Sequence, residues 1–149
     1  MSTKFPTQSR EPPLTLLLQN AERRVSAAVL TAVSDDFPGL QAPHLALFGA
    51  LDCGATHAAA AAERLGISRQ AVARTARDLA DMGLLRLHTD TDRRNRNRLE
   101  MTARGEALAL AGRRQLARIE AALGDDLTTL RRALAVLAAA PIEEDAPRA

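Results

Sequence analysis

Four arginines fall within six residues in the run Asp92-Arg93-Arg94-Asn95-Arg96-Asn97-Arg98, with no apolar residue between them. Like charges this close repel, so the run gains stability only when an anion lies among them. Guanidinium groups bind phosphate through paired N–H donors, and they are the side chains that enter narrow minor grooves. Upstream, Ser68-Arg69-Gln70-Ala71-Val72-Ala73-Arg74-Thr75-Ala76-Arg77 carries a second kind of chemistry. As a helix it buries Val72, Ala76 and Leu79 and turns Arg69, Gln70, Ala73, Arg74 and Arg77 outward. A helix entering the major groove by its first turn brings free N–H groups to phosphate and its first side chains to base edges. Ser68, Arg69, Gln70 and Ala71 form that turn. Arg69 suits bidentate pairing with guanine and Gln70 with adenine, while the small Ala73 permits close approach. Either segment alone is most simply a solvated charged surface. Together they make a duplex-DNA reader and clamp.

The charge distribution supports that reading. Residues 64–98 hold nine Arg against four acids, a net of +5, while the rest of the 149-residue chain is at −3 and the whole at +2. A basic middle between acidic flanks indicates a polyanionic partner for one region only. Aromatics are 2% of the chain, all Phe, which argues against single-strand binding by base stacking. No apolar stretch approaches the ~20 residues needed to cross a bilayer, and the polar opening lacks the apolar core of a secretion signal. One cysteine, Cys53, makes neither an internal disulfide nor a Cys-based zinc site, which fits a cytoplasmic protein. His44, His57 and His88 are spread over three elements without ligand spacing, so neither metal nor cofactor is expected. The carboxylate pairs Asp35-Asp36 and Asp125-Asp126 fall at helix ends, where acids act as caps or stops. No nucleophile, base and orienting group come together, so an enzyme is not expected.

The elements that must position these residues follow from periodicity. Residues 1–13 read as a flexible lead ending in Pro12-Pro13. Apolar steps of three and four from Leu14 to Val33 make an amphipathic helix, closed by Ser34-Asp35-Asp36-Phe37-Pro38-Gly39. Pro43 to Leu51 is a short helix. A third is capped by Thr56 or His57 and stops at Gly66, and Ser68 caps a fourth that ends at Gly83. Leu85 and Leu87 alternate with Arg86 and His88 as a strand, Thr89–Asn97 is a polar tip, and Arg98–Met101 returns as the second strand. Thr102 caps a long helix over 103–123, Gly124 breaks it, and a last helix opens at Asp125 or Asp126. Residues 141–149 form an acidic tail. The fold class is mainly α: a winged helix-turn-helix with N- and C-terminal dimerisation helices, six helices and a β-hairpin wing in all.

Residues 40–105 resemble the DNA-binding lobe of the MarR family of bacterial transcription regulators. The matching stretches are Leu40 to Leu47, Ala62-Glu63-Arg64-Leu65-Gly66-Ile67-Ser68-Arg69-Gln70-Ala71-Val72-Ala73-Arg74, and Leu79 through Leu85. The specific part is Asp92-Arg93-Arg94 leading into Leu99-Glu100-Met101-Thr102-Ala103-Arg104-Gly105. There are three departures. The wing is one residue longer than usual, so the groove-inserting place falls to Arg94 or Arg96. Gln41 and Pro43 replace the common Thr-Pro helix start, and Ala61 replaces a larger aliphatic residue. The resemblance implies lobes at 38–102 for DNA and at 14–37 with 103–140 for dimerisation. It further implies a homodimer on a pseudo-palindromic double-stranded operator, acting as a repressor relieved by a small aromatic or anionic effector. The effector crevice would draw on the first, second and fifth helices, with Arg23, Arg24, His44 and Phe48 as candidates. The alternatives are a non-specific chromatin-associated DNA binder and a winged-helix protein–protein or ligand-binding module that does not bind DNA.

Overall fold

The structure is a computed structural model that describes residues 11–89 and 96–140, and at 96 and 97 the backbone alone. Arg93 and Arg94, the Arg96 side chain, most of the expected lead and the whole acidic tail lie outside the described residues. The element order is α1 (Leu14–Val33), α2 (Ala42–Asp52), α3 (Ala58–Leu65), α4 (Arg69–Asp81), β1 (Leu85–Thr89), β2 (Arg96–Met101), α5 (Ala103–Leu123) and α6 (Asp126–Ala139). The six helices and two-stranded antiparallel hairpin are those expected from the periodicity. The strands run further toward the tip than the alternation alone indicates.

The core lies among α2, α3, α4 and the base of the hairpin, joined by the end of α1 and the first turns of α5. Val33, Leu47, Val72, Leu79, Leu84 and Leu108 are its most buried large residues, and Phe37, Phe48 and Leu99 are buried with them. Ala61 is fully buried and its neighbours Ala58 and Ala62 are buried too. The small side chains of α3 are thus used as core, letting this short helix pack closely on α2 and α4.

Local chemistry fixes the joints that aim α4. Gly66 ends α3 at φ 66, in the left-handed region where an L side chain is strained, and Ile67 N–H donates to the Ala62 carbonyl at 3.1 Å. Two residues later the Ser68 hydroxyl accepts from Ala71 N–H at 3.1 Å and caps α4. At the start of α2 the cap is unusual. The Gln41 N–H donates to His44 Nδ1 at 2.9 Å, which leaves the ring proton on Nε2, 3.7 Å from the Asp78 carboxylate of α4. Buried His44 therefore ties the first turn of α2 to the far end of α4.

The hairpin joins α5 through Thr102 and Gly105. The Thr102 hydroxyl donates to the Gly83 carbonyl at 2.7 Å and accepts from Gly105 N–H at 3.1 Å. A Cβ on Gly105 would fall 2.1 Å from the Leu84 carbonyl oxygen, so only glycine allows this contact. Arg104 reaches back to the Asp36 carbonyl at 2.9 Å and lies over the Phe37 ring, fastening the α1–α2 turn. Asp125 precedes α6 without a side-chain cap bond, unlike the capping role expected of it.

The chain forms two compact units, one through Leu116 and one from Ala117 onward. In the first, Val29 and Val33 of α1 are buried while Leu14, Leu16 and Leu17 at its other end are exposed. In the second, no described residue of α6 is buried, and Leu130, Leu134, Val136 and Leu137 are exposed. An Arg131–Glu120 ion pair at 2.6 Å is internal to that unit. No helix among the described residues is long and apolar enough to cross a membrane.

Candidate nucleic-acid interface

The sequence of α4 separates into two faces as its pattern requires. Val72, Ala76 and Leu79 are buried, and Arg69, Gln70, Ala73, Arg74 and Arg77 are exposed. Among the described residues no carboxylate pairs with Arg69, Arg74 or Arg77. Arg77 bends back along its own helix, its Nε donating to the Ala73 carbonyl at 3.3 Å. Ser68 is exposed with its oxygen engaged in the cap, and Ala71 is half-buried, so the long side chains of the first turn are Arg69 and Gln70. Outward reach belongs to Arg69, Gln70 and Arg74.

Arg69, Gln70, Ala73 and Arg77 form one wall of a groove. Leu87, His88 and Thr89 of β1 form the other, and His57 with Ala58 at the start of α3 closes the end. Leu87, expected to alternate inward with Leu85, is 42% exposed while Leu85 is buried. By Leu87 the hairpin has run past the edge of the helical core, so the same strand face now overlooks α4. The hairpin is held at this distance by Leu99 N–H, which donates to the Thr56 carbonyl at 2.7 Å, and by bridge pairing of His57 with Arg98. His57 was expected only as a local cap. It precedes α3 at that position, its Nδ1 lies 3.1 Å from the Thr56 hydroxyl, and its Nε2 is buried without a hydrogen-bond partner. Its place in the groove depends on the wing's docking, which no local pattern records.

The register of the wing holds a second finding. Pairing runs regularly from Leu85↔Met101 to His88↔Arg98, then shifts so that Thr89 faces Arg96. This bulge absorbs one additional β2 residue. Arg98 lies 3.8 Å from Glu100 and borders a separate cavity with Thr56 and Arg113, away from the α4 groove. Glu100 is also bonded to His88 Nε2 at 2.5 Å. That hydrogen bond, aided by the charges of His88, Arg98 and Arg86, holds the Glu100 carboxyl below its usual range.

The other candidate residues separate as well. A crevice of about 260 Å³ opens between α1, α2 and the first half of α5, the three helices expected to form it. Phe48 lines it, but Arg23, Arg24 and His44 do not. Arg23 and Arg24 are exposed on α1, and the His44 ring is committed to Gln41 and Asp78. Its cation is Arg113, which the sequence reading overlooked because only the packing of α5 on α2 brings it there. Cys53, at the end of α2, is exposed. No group of three or more His, Cys, Asp or Glu among the described residues is placed to hold a metal.

Comparison with known proteins places this geometry in context. The family model described as "MarR family" matches residues 39–95. A search of curated protein sequences gives no match. Among solved structures, the Mycobacterium tuberculosis MarR family protein Rv2887 in complex with p-aminosalicylic acid is similar at 26% identity, covering 85% of this chain and 99% of that one, with a TM-score of 0.57. The M. tuberculosis transcriptional regulator MosR in complex with DNA is 23% identical, covering 85% and 93%, with a TM-score of 0.64. CouR from Rhodococcus jostii RHA1, bound to p-coumaroyl-CoA, is 16% identical, covering 93% and 100%, with a TM-score of 0.70.

Proposed function

We propose that this chain, whose residues 39–95 match the MarR family model and whose fold is similar to solved MarR family regulators, is a transcriptional regulator that reads duplex DNA with α4 and grips it with the wing. The observation that carries this reading is the outer face of α4, where Arg69 and Arg74 stand exposed with no carboxylate partner among the described residues. A cationic face left uncompensated beside an open groove gains its counter-charge from outside the chain. Arg69 and Gln70 read base edges, while Arg93, Arg94 and Arg96 supply charge to phosphate and the minor groove.

The exposed apolar residues of α1, α5 and α6 support pairing of two copies. A two-fold dimer sets two recognition helices on two half-sites, hence a pseudo-palindromic operator. Solved relatives carry p-aminosalicylic acid or p-coumaroyl-CoA, and the α1–α2–α5 crevice is the place assigned here to a small effector that releases the DNA. The role is one of binding and not of catalysis, in the cytoplasm.

The test is a salt titration of wild type, Arg69→Ala and Arg96→Ala on a preferred and a scrambled duplex. Arg96→Ala removes two cations per dimer and flattens the slope of log affinity against log salt by about 1.8, with sequence preference retained. Arg69→Ala costs roughly 1–3 kcal/mol on the preferred duplex and much less on the scrambled one. Loss of preference in Arg96→Ala with its retention in Arg69→Ala reverses the assignment of reader and clamp. Absence of any preference in wild type, with a steep salt slope, favours a non-specific DNA binder.

A further inference from the structure

The α1–α2–α5 crevice has an apolar body and an acidic rim. Its walls include Val29, Leu45, Phe48 and Leu108, and three charged side chains line it: Glu22, Asp52 and Arg113. The single cation is engaged through its Nε. Arg113 Nε lies 3.4 Å from the Asp52 carboxylate and donates to the Ala109 carbonyl of its own helix at 3.4 Å. Glu22 has no cationic partner among the described residues, and its carboxylate accepts from the Ser26 hydroxyl at 2.6 Å. Once Asp52 and Arg113 cancel, the crevice carries one carboxylate over a hydrophobic floor.

We infer that this crevice selects a small aromatic cation, an amine or related molecule whose ring packs against Phe48 and its neighbours while its charge meets Glu22. This rests on the reading of the crevice as the effector site and adds the charge class of the occupant. A ring recovers the hydrophobic contact that the walls offer. An ammonium group supplies the charge-assisted bonds that the Ser26 hydroxyl alone does not provide. An anion in the same place faces Glu22 directly and has to share the Arg113 guanidinium with Asp52. Both effects order the ligands the same way. A neutral ring falls between the two.

The experiment is calorimetric titration of the full chain, without DNA, with 2-naphthylmethylammonium, 2-naphthol and 2-naphthoate at neutral pH. The ammonium should bind about tenfold or more tightly than the carboxylate, with the naphthol between them. Glu22→Gln, a change on an exposed helix position, should close most of that gap by weakening the ammonium and strengthening the carboxylate. Gly49→Leu should abolish binding of all three. Gly49 lines the crevice, and a Cβ there meets nothing within 4 Å, so the added side chain has room to occupy the cavity. Gly112→Ala offers a milder filler, its Cβ falling 3.9 Å from Val29. Tightest binding by naphthoate, lost in the cavity-filling variants, overturns the cation preference and leaves the crevice as effector site. An unchanged ranking in Glu22→Gln also overturns it. Absence of binding by all three probes, or binding indifferent to both fillers, overturns the effector site together with the inference.

Discussion

At the scale of single residues, Gly105 shows how a short motif carries a long-range constraint. The Thr-x-x-Gly spacing at Thr102–Gly105 is legible as a helix start, but its reason is the Leu84 carbonyl, which would lie 2.1 Å from an added Cβ. Gly105→Ala should therefore cost roughly 1–3 kcal/mol or more through overpacking, despite alanine's better helix propensity. Denaturant unfolding checks this, and an unchanged or raised midpoint would mean that α5 shifts freely. Glu100 supports a pH prediction. Its pKa is lowered from 4.5, chiefly by the His88 hydrogen bond. The pairing thus stabilises the fold above the ordinary carboxylate range, and that contribution is lost as pH falls through the lowered value. Glu100→Gln should be less stable than wild type near neutrality, with the difference shrinking in acid. Thermal melts from pH 7 to pH 3 (about the range that brackets carboxylate titration) measure that difference. A gap that stays constant with pH contradicts the assignment. His44 marks the opposite limit of sequence reading. The sequence offered it as a crevice candidate, whereas its burial and the 3.7 Å approach to Asp78 depend on where α4 ends in space.

At the scale of elements, the turn Gly66-Ile67-Ser68 was readable because its chemistry is local. A left-handed glycine and a serine cap two residues apart stop one helix and start the next without help from the rest of the chain. Ser68→Ala should lose about 1 kcal/mol of stability and loosen the turn that aims Arg69 and Gln70. Unfolding and DNA titration of the same variant should fall together. Full DNA affinity in a destabilised Ser68→Ala protein would show that α4 is aimed by its packing alone. The wing was less legible. Alternation gave its existence and its strands, but not the shift after His88–Arg98 or the exposure of Leu87. Those depend on how far the hairpin projects beyond the core. The crevice was legible as three helices in roughly the right order. Its charge was not, because Glu22, Asp52 and Arg113 lie far apart in the chain and meet only through packing.

At the scale of the whole molecule, an uneven charge pattern accompanies an uneven apolar one. The basic stretch 64–98 suits a polyanionic partner, and leucines of α1, α5 and α6 are exposed, as the proposed pairing of two copies requires. Sedimentation should show a dimer at micromolar concentration. Deleting residues 1–33 should leave a poorly soluble protein, because it also removes Val29 and Val33 from contact with the core. A full-length monomer, with and without DNA, would remove the geometric basis for a two-fold operator. The most direct measurement is selection of bound duplexes from a random pool by the full-length protein. The account predicts enrichment of an inverted repeat whose half-sites are centred about one helical turn, roughly 10 base pairs, apart. Recovery of no enriched sequence, or of a single unrepeated site, would contradict it.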